Sequence, residues 1–457
     1  MMRPFELDQL QQVLGARLVG ANRIVERVVT DSRQLQSGDL FVALKGPNFD
    51  GHDFVGAAEL KGAAAVVVSR ITDTRLPQLV VTDTLKALGQ LGGFNRSLFR
   101  GPVFAVTGSS GKTTVKEMLA RMLATKGEVL ATRGNLNNQI GVPLTLLELA
   151  PVHKAAVIEL GASAQGEIAR TVAMARPDVA LLNNAMGAHL DGFGGLEGVV
   201  RAKGEMFEGL LEGGVGVVNL DSPHAADWIG RLQRLKRRML SFGVENGAAD
   251  VGASQLEMNP DGSWRFVLDD GTEKLPVSLK LLGRHNVANA TAAAAAWVAA
   301  GQPLSKIAGV LDRVLPVAGR LSPHRMANGA LVIDDSYNAN ADAVKAAIDL
   351  LAQLPGQRVL VLGDMAELGA QSQQLHAEVG RYAAEREIDR LLVTGPAMRA
   401  AADAYAAIRQ GAEHFGSQTE LITKIEALPP QQLTLLVKGS RSAAMDRVVA
   451  ALLQEDN

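Results

Sequence analysis

Residues 103–114 read VFAVTGSSGKTT, and this stretch decides the architecture. The apolar run Val103 to Thr107 has the length and composition of a buried strand. It stops at a glycine-bracketed loop in which Gly108 and Gly111 let the backbone fold so that its N–H groups converge on phosphate oxygens. Lys112 adds a point charge for the β- and γ-phosphates, and the Thr113 hydroxyl can hold Mg²⁺. Val115, Met118, Leu119, Met122 and Leu123 follow at helical spacing, which predicts an amphipathic helix whose N-terminus points at the anion. The candidate phosphate site is therefore Gly108, Ser109, Ser110, Gly111, Lys112, Thr113 and Thr114. Val106 stands where the usual pattern has a further glycine, so the loop is a shortened form. An ordinary Gly-Ser turn would not need the strand, the Gly-Lys-Thr and the helix together.

Outward from this loop the chain alternates strand and helix. VFAVTG, AAVIELG (155–161), VALLNN (from Val179) and VGVVNL (215–220) each end in Gly, Asn or Asp. That pattern predicts a mostly parallel sheet with helices on both faces and ligands at the C-terminal strand ends. Residues 246–280 interrupt it with the turn pairs Asp261-Gly262 and Asp270-Gly271, which suit antiparallel hairpins inserted in the domain. NVANATAAAAAWVAA, from Asn286, reads as a tightly packed core helix ended by Gly301. LPVAGRLS (315–322) starts a junction, after which LVIDD, RVLVLGD, RLLVTG and LTLLVKG form a second open α/β sheet. Before residue 101, FVALKG and AAAVVVSR flank a turn-rich GPNFDGHDF, the mark of a small α/β domain. The expected units are residues 1–100, 101–318 and 319–457.

Composition narrows the function classes. At 457 residues the chain has room for about three domains. A formal net charge of −2 and only 4% aromatic residues argue against a nucleic-acid surface. The absence of cysteine excludes disulfides, thiolate metal sites and a cysteine nucleophile. No signal peptide and no run of about 18 apolar residues is found, so a cytoplasmic protein without membrane insertion is expected.

Four features lie where a doubly wound sheet places its site. Glu159 closes the strand AAVIEL, where a carboxylate can bind Mg²⁺ beside a triphosphate or merely cap a helix or face solvent. His189, in NNAMGAHLDGFG, is a metal ligand or an acyl-group contact, unless it is a structural loop histidine. Lys203, in RAKGEMF, reads on its own as a solvated helix lysine. Asn286 and Asn289, three apart at the start of a helix after Arg284 and His285, are caps or purine-reading amides.

Taken together these motifs resemble the Mur ligase family, ATP-dependent amide-forming enzymes of peptidoglycan synthesis, over nearly the whole chain. The resemblance implies an α/β fold of three domains: an N-terminal UDP-binding domain, a central ATP-binding domain with a β-hairpin insertion, and a C-terminal Rossmann-like domain. It implies that TGSSGKTT binds ATP and that Thr113, Glu159 and His189 hold magnesium. It also implies that Lys203 is carbamylated and ligates a second Mg²⁺, with Lys112, His189 and Lys203 as the catalytic set. Asn286 and Asn289 would serve the adenine and phosphate side, Arg320 would be the interdomain arginine and Asp335 would bind the ribose. DDSYNANAD (334–342), LGDMAELG (362–369) and TRGNLNNQIGVPLTLL (132–147) are similar to the member that adds D-alanyl-D-alanine to a UDP-muramoyl-tripeptide. DSRQLQSGDLFVALKGPNFDGHDF (31–54) is similar to the UDP-binding segment of that member and of the ligase acting before it. On that resemblance Asp31, Ser32, Arg33, Asn48, Asp50, Asn135 and Asn138 are the UDP-substrate candidates, and Tyr337, Asn338, Lys438 and Ser440 the dipeptide candidates. A monomer acting on small molecules is expected. Two rivals are a folate polyglutamate synthase, which should lack the first 100 residues, and a non-ligase P-loop ATPase.

Overall fold

The strand Val103–Thr107 is buried along its whole length, between Val179–Leu182 on one side and Ala155–Glu159 on the other, parallel to both. The computed structural model, which describes residues 1–187 and 190–454, places it third from one edge of a nine-stranded sheet. From one edge the order is Lys274–Leu279, Trp264–Asp269, Val251–Met258, Arg238–Gly243, Val215–Asn219, Val179–Leu182, Val103–Thr107, Ala155–Glu159 and Val129–Ala131. The chain leaves Val103–Thr107 toward one edge and returns past it toward the other. The loops after Thr107, Glu159 and Leu182 therefore diverge and leave a crevice at a topological switch point.

The antiparallel strands after residue 246 do form, with Gly262 and Gly271 at φ +85° and +80° in their turns. They extend the central sheet rather than standing apart from it, because Val251–Met258 pairs in parallel with Arg238–Gly243. That second strand, like Val129–Ala131, carries no clean apolar period: Arg238 and Met239 are exposed at its start. The alanine-rich helix spans His285–Ala299 and packs on Lys112–Leu123. Ala290 and Ala292 to Ala296 are completely enclosed, the absence of larger side chains letting the two backbones approach. Trp297 fills the end of this layer and donates its indole N–H to Pro303 O at 2.9 Å. Burying that ring contributes about 2–3 kcal/mol.

Two larger sheets flank this one, besides the two-stranded pair Phe5–Glu6 and Ile24–Val25. Arg17–Val19, Gln78–Val80, Ala65–Val68, Asp39–Val42 and Arg27–Val29 make a five-stranded sheet, antiparallel only at its first pair. Helix Thr84–Leu98 fastens it to the central unit: Asn95 donates to Leu146 O and Leu149 O, and Arg96 to Ala175 O and Arg176 O. After residue 321 a six-stranded sheet runs Ser322–Arg325, Leu331–Asp335, Leu433–Lys438, Gln357–Gly363, Arg390–Thr394 and Ala412–Phe415, parallel except at its first edge. Leu282 and Leu321 pack into the same apolar cluster as Ile348, Leu351 and Leu354, joining this unit to the central one. Asp335 and Lys438 are register partners at the C-terminal ends of adjacent strands, facing the crevice.

Candidate active site at the central switch point

The loop after Thr107 is held from behind by Asn183 and Asn184. Ser109 N donates to Asn184 O at 3.1 Å, Ser110 N to Asn184 Oδ1 at 2.9 Å, and both asparagine amides donate to Ser110 O. Two loop N–H groups are thus committed to the neighbouring strand end. The donors left for an anion are those of the first turn of Lys112–Leu123, which no helix can satisfy internally. Gly111 sits at φ +78°, and a Cβ there would collide with Asn289 Oδ1 and stand 2.6 Å from Asn183 Nδ2. Asn289 and Asn286 belong to this support: Asn183 Nδ2 donates to Asn289 Oδ1 at 2.9 Å, Asn289 Nδ2 to Asn286 Oδ1, and Asn286 Nδ2 to Leu282 O.

Lys112 is half-buried, with Nζ folded onto Gly108 O at 2.8 Å. Desolvation lowers its pKa, Glu159 opposing and Arg320 adding to the effect. Glu159 is buried and fully oriented. Its Oε2 accepts from Thr113 Oγ1 and its Oε1 from Asn137 Nδ2, each at 2.9 Å. A hydroxyl and a carboxylate in contact at a buried strand end are hard oxygen donors of the kind Mg²⁺ takes. Among the described residues no three His, Asp or Glu side chains cluster as a metal site. The His189 assignment lies outside the described residues.

Lys203 is not the solvated lysine its helix position suggests. It is 2% exposed, on helix Leu196–Gly204, with Nζ 5.7 Å from the centre of the Phe193 ring. Burial first, then the charge of Lys112, pushes its pKa down to about 7, against the pull of Glu159, Glu167 and Glu205. A large share of neutral amine therefore exists near neutrality.

The third sheet completes the enclosure. One cleft of about 440 Å³ is lined by Ser109, Ser110, Gly111, Lys112 and Thr114 from the loop, by Asn135, Glu159, Asn286 and Asn289, and by Arg320, Asp335, Tyr337, Asn338 and Lys438. Arg320 stacks 4.3 Å over the Tyr337 ring and donates to Thr113 Oγ1 at 3.0 Å, bridging the two sheets. Lys438 Nζ pairs with Asp335 Oδ2 at 2.7 Å and donates to Asn338 O. Ser440 is buried outside this lining, its hydroxyl 3.1 Å from that of Ser442.

The remaining candidates sit elsewhere. Asp31 caps the turn Ser32–Gln34 and pairs with Arg33, which holds its pKa at about 2. Lys61 Nζ donates to Ser32 O. Asn48 is exposed, and Asp50 is tied to His52 and Arg70 with its pKa lowered by those bonds, the backbone N–H of His52 first. Asn138 Oδ1 accepts from Ile140 N and Gly141 N at the start of helix Gly141–Leu147. Asn183 and Asn184, which directly follow the strand Val179–Leu182, and Asn137, in the loop after Val129–Ala131, join the site beyond the sequence candidates; a polar residue after a strand is a signal for the first two only.

Residues 25–92 match the Mur ligase family catalytic domain, 106–297 the Mur ligase middle domain and 319–441 the Mur ligase glutamate ligase domain. The UDP-N-acetylmuramoyl-tripeptide–D-alanyl-D-alanine ligase of Escherichia coli K12 is 47% identical over 448 residues, covering 98% of each chain. A crystal structure of MurF from Acinetobacter baumannii matches with a TM-score of 0.93 at 39% identity over 99% of each chain. MurF ligase from Thermotoga maritima in complex with ADP matches with a TM-score of 0.84 at 29% identity, over 94% of this chain and 98% of that one.

Proposed function

This chain belongs to the Mur ligase family, and from that premise we propose how its cleft works as an ATP-dependent ligase. The reaction joins D-alanyl-D-alanine to UDP-N-acetylmuramoyl-tripeptide in peptidoglycan synthesis, giving the UDP-muramoyl-pentapeptide, ADP and phosphate. The observation that carries the assignment is the pairing of phosphate loop and Glu159 with Arg320 and Asp335 around one cleft, within a chain matched end to end by that ligase. A folate polyglutamate synthase would leave the first 100 residues without a counterpart, whereas the family match begins at residue 25.

A carboxylate and an amine do not condense unaided, so the carboxylate acquires a phosphoryl leaving group, as an acyl phosphate. Lys112 and the first-turn N–H groups of its helix offset charge gathering on the transferred phosphoryl oxygens. Thr113 and Glu159 would hold Mg²⁺, which when bound would supply Lewis-acid charge at those oxygens. Lys203, carbamylated on its neutral amine, and His189 would hold a second ion. Asn183 and Asn289 keep the loop in register, Asp335 serves the ribose, and Tyr337, Asn338 and Lys438 form the dipeptide side, Ser440 being enclosed outside the cleft. Asp31, Ser32, Arg33, Asn48, Asp50, Asn135 and Asn138 serve the UDP end. Lining from two sheets excludes water from the acyl phosphate. We take the units to be residues 1–100, 101–318 and 319–457 of a monomer working in the cytoplasm, where ATP and UDP-linked precursors occur. No helix among the described residues is long and apolar enough to cross a membrane.

The test is phosphate release with each substrate omitted in turn. Turnover should require the UDP-muramoyl-tripeptide, and amide product should require D-alanyl-D-alanine as well. Equal phosphate release without the muramoyl peptide would replace this reading with that of a plain ATPase.

A further inference from the structure

The P-loop helix carries a second lysine, and it points into the protein. Lys116 lies one turn beyond Lys112 and is 2% exposed, a rare state for a lysine unless its charge is engaged. Its Nζ donates to Thr132 O at 2.7 Å and pairs with Glu117 Oε1 at 2.7 Å. Thr132 directly follows the edge strand Val129–Ala131, which runs parallel to Ala155–Glu159 with Ala131 opposite Val157. Thr132 N still donates to Val157 O at 3.0 Å. In a continuing parallel ladder Thr132 O would next accept from Glu159 N. Here that carbonyl is turned to Lys116, and Glu159 N donates instead to Thr132 Oγ1 at 2.9 Å.

This exchange lets the chain leave the sheet while the last peptide of the Glu159 strand stays bonded. The released loop then brings Asn137 back over the same carboxylate: Asn137 Nδ2 donates to Glu159 Oε1 and Gly161 N to Asn137 O at 2.8 Å. It also carries Asn135 into the cleft lining.

We propose that Lys116, acting through Thr132, is a positioning residue that sets the backbone and carboxylate of Glu159 and the loop of Asn135 and Asn137. The proposal rests on the reading of Glu159 as a metal-facing carboxylate, and the experiment separates the two. The full-length enzyme is titrated with Mn²⁺ in the presence of ADP, with bound metal followed by electron paramagnetic resonance, and thermal melting is recorded alongside. Lys116→Met keeps the stem without the donor, Thr132→Val keeps the shape without the hydroxyl, and Thr132→Ser keeps the hydroxyl.

Lys116→Met and Thr132→Val should each weaken Mn²⁺ binding about 10- to 100-fold, the range for groups that orient a metal ligand. Their double variant should lose little more than either single one, since both act along one path. Thr132→Ser should stay within about twofold of the parent. If Lys116→Met fails to fold, the contrast between valine and serine at 132 carries the test, and equal affinities for those two would overturn the proposal. Undiminished Mn²⁺ affinity in a folded Lys116→Met, with Glu159→Gln impaired, would overturn the role of Lys116 alone. Undiminished affinity in Glu159→Gln would overturn the metal reading and this proposal with it.

Discussion

At the scale of single residues, burial separates two neighbouring cations of one helix. Arg201 and Lys203 share the last turn of one helix, yet Arg201 is largely exposed while the amine at 203 is enclosed, and its pKa falls to about 7 from an ordinary 10.5. The sign follows from that depression. The fold disfavours the ammonium form, so enclosing Lys203 costs stability at low pH, and the cost fades as pH rises through about 7 toward the unfolded value. Carbon dioxide reacts with the neutral amine, so a carbamate signal from ¹³C-labelled bicarbonate should grow as pH rises through about 7. Lys203→Arg should show no such signal and lose at least about 100-fold in turnover, because a guanidinium stays charged and repels Mg²⁺. Full activity in that variant would refute the carbamate. The sequence named Lys203 by resemblance; its exposure and pKa came only from packing, since they depend on residues remote in sequence such as Lys112 and Glu159.

At the scale of elements, the phosphate loop depends on two others: the strand end bearing Asn183 and Asn184, and the alanine-rich helix bearing Asn286 and Asn289. The amides form one chain from Leu282 O to Ser110 O, passing beside Gly111. Gly111→Ala should both strain a backbone at φ +78° and drive a methyl group into the Asn183–Asn289 contact. The expected cost is about 1–2 kcal/mol in stability, and the displaced loop should weaken ADP binding about tenfold or more, as measured by calorimetry. Unchanged ADP affinity would show that the amide chain does not set the loop. The strand, the loop and the helix at 103–123 were legible because apolar period and glycine placement are local signals. The strands Val129–Ala131 and Arg238–Gly243 were not, because only pairing with their neighbours makes them strands.

At the scale of the whole molecule, the cleft is shared work. Arg320 reaches Thr113 from the third sheet, while Asp31 and Asp50 lie outside the cleft lining on the first. If that contact helps the third sheet serve the phosphate end, Arg320→Met should lower the rate of product formation about 100-fold or more, the effect of deleting one electrostatic contact in such a site. Binding of the UDP-muramoyl-tripeptide, measured by calorimetry without nucleotide, should stay within about twofold. A parallel loss of substrate binding would contradict this division between sheets. By itself the sequence determined the α/β class, the phosphate loop and the strand-end positions of Glu159 and Asp335, since periodicity and turn chemistry are written in consecutive residues. Only the tertiary structure decided that Arg320 meets Thr113, that Lys203 is enclosed, and that Lys116 turns the Thr132 carbonyl away from the sheet. Those contacts join residues from 16 to 207 positions apart, and a distance of that kind is fixed by how sheets pack and not by any local pattern.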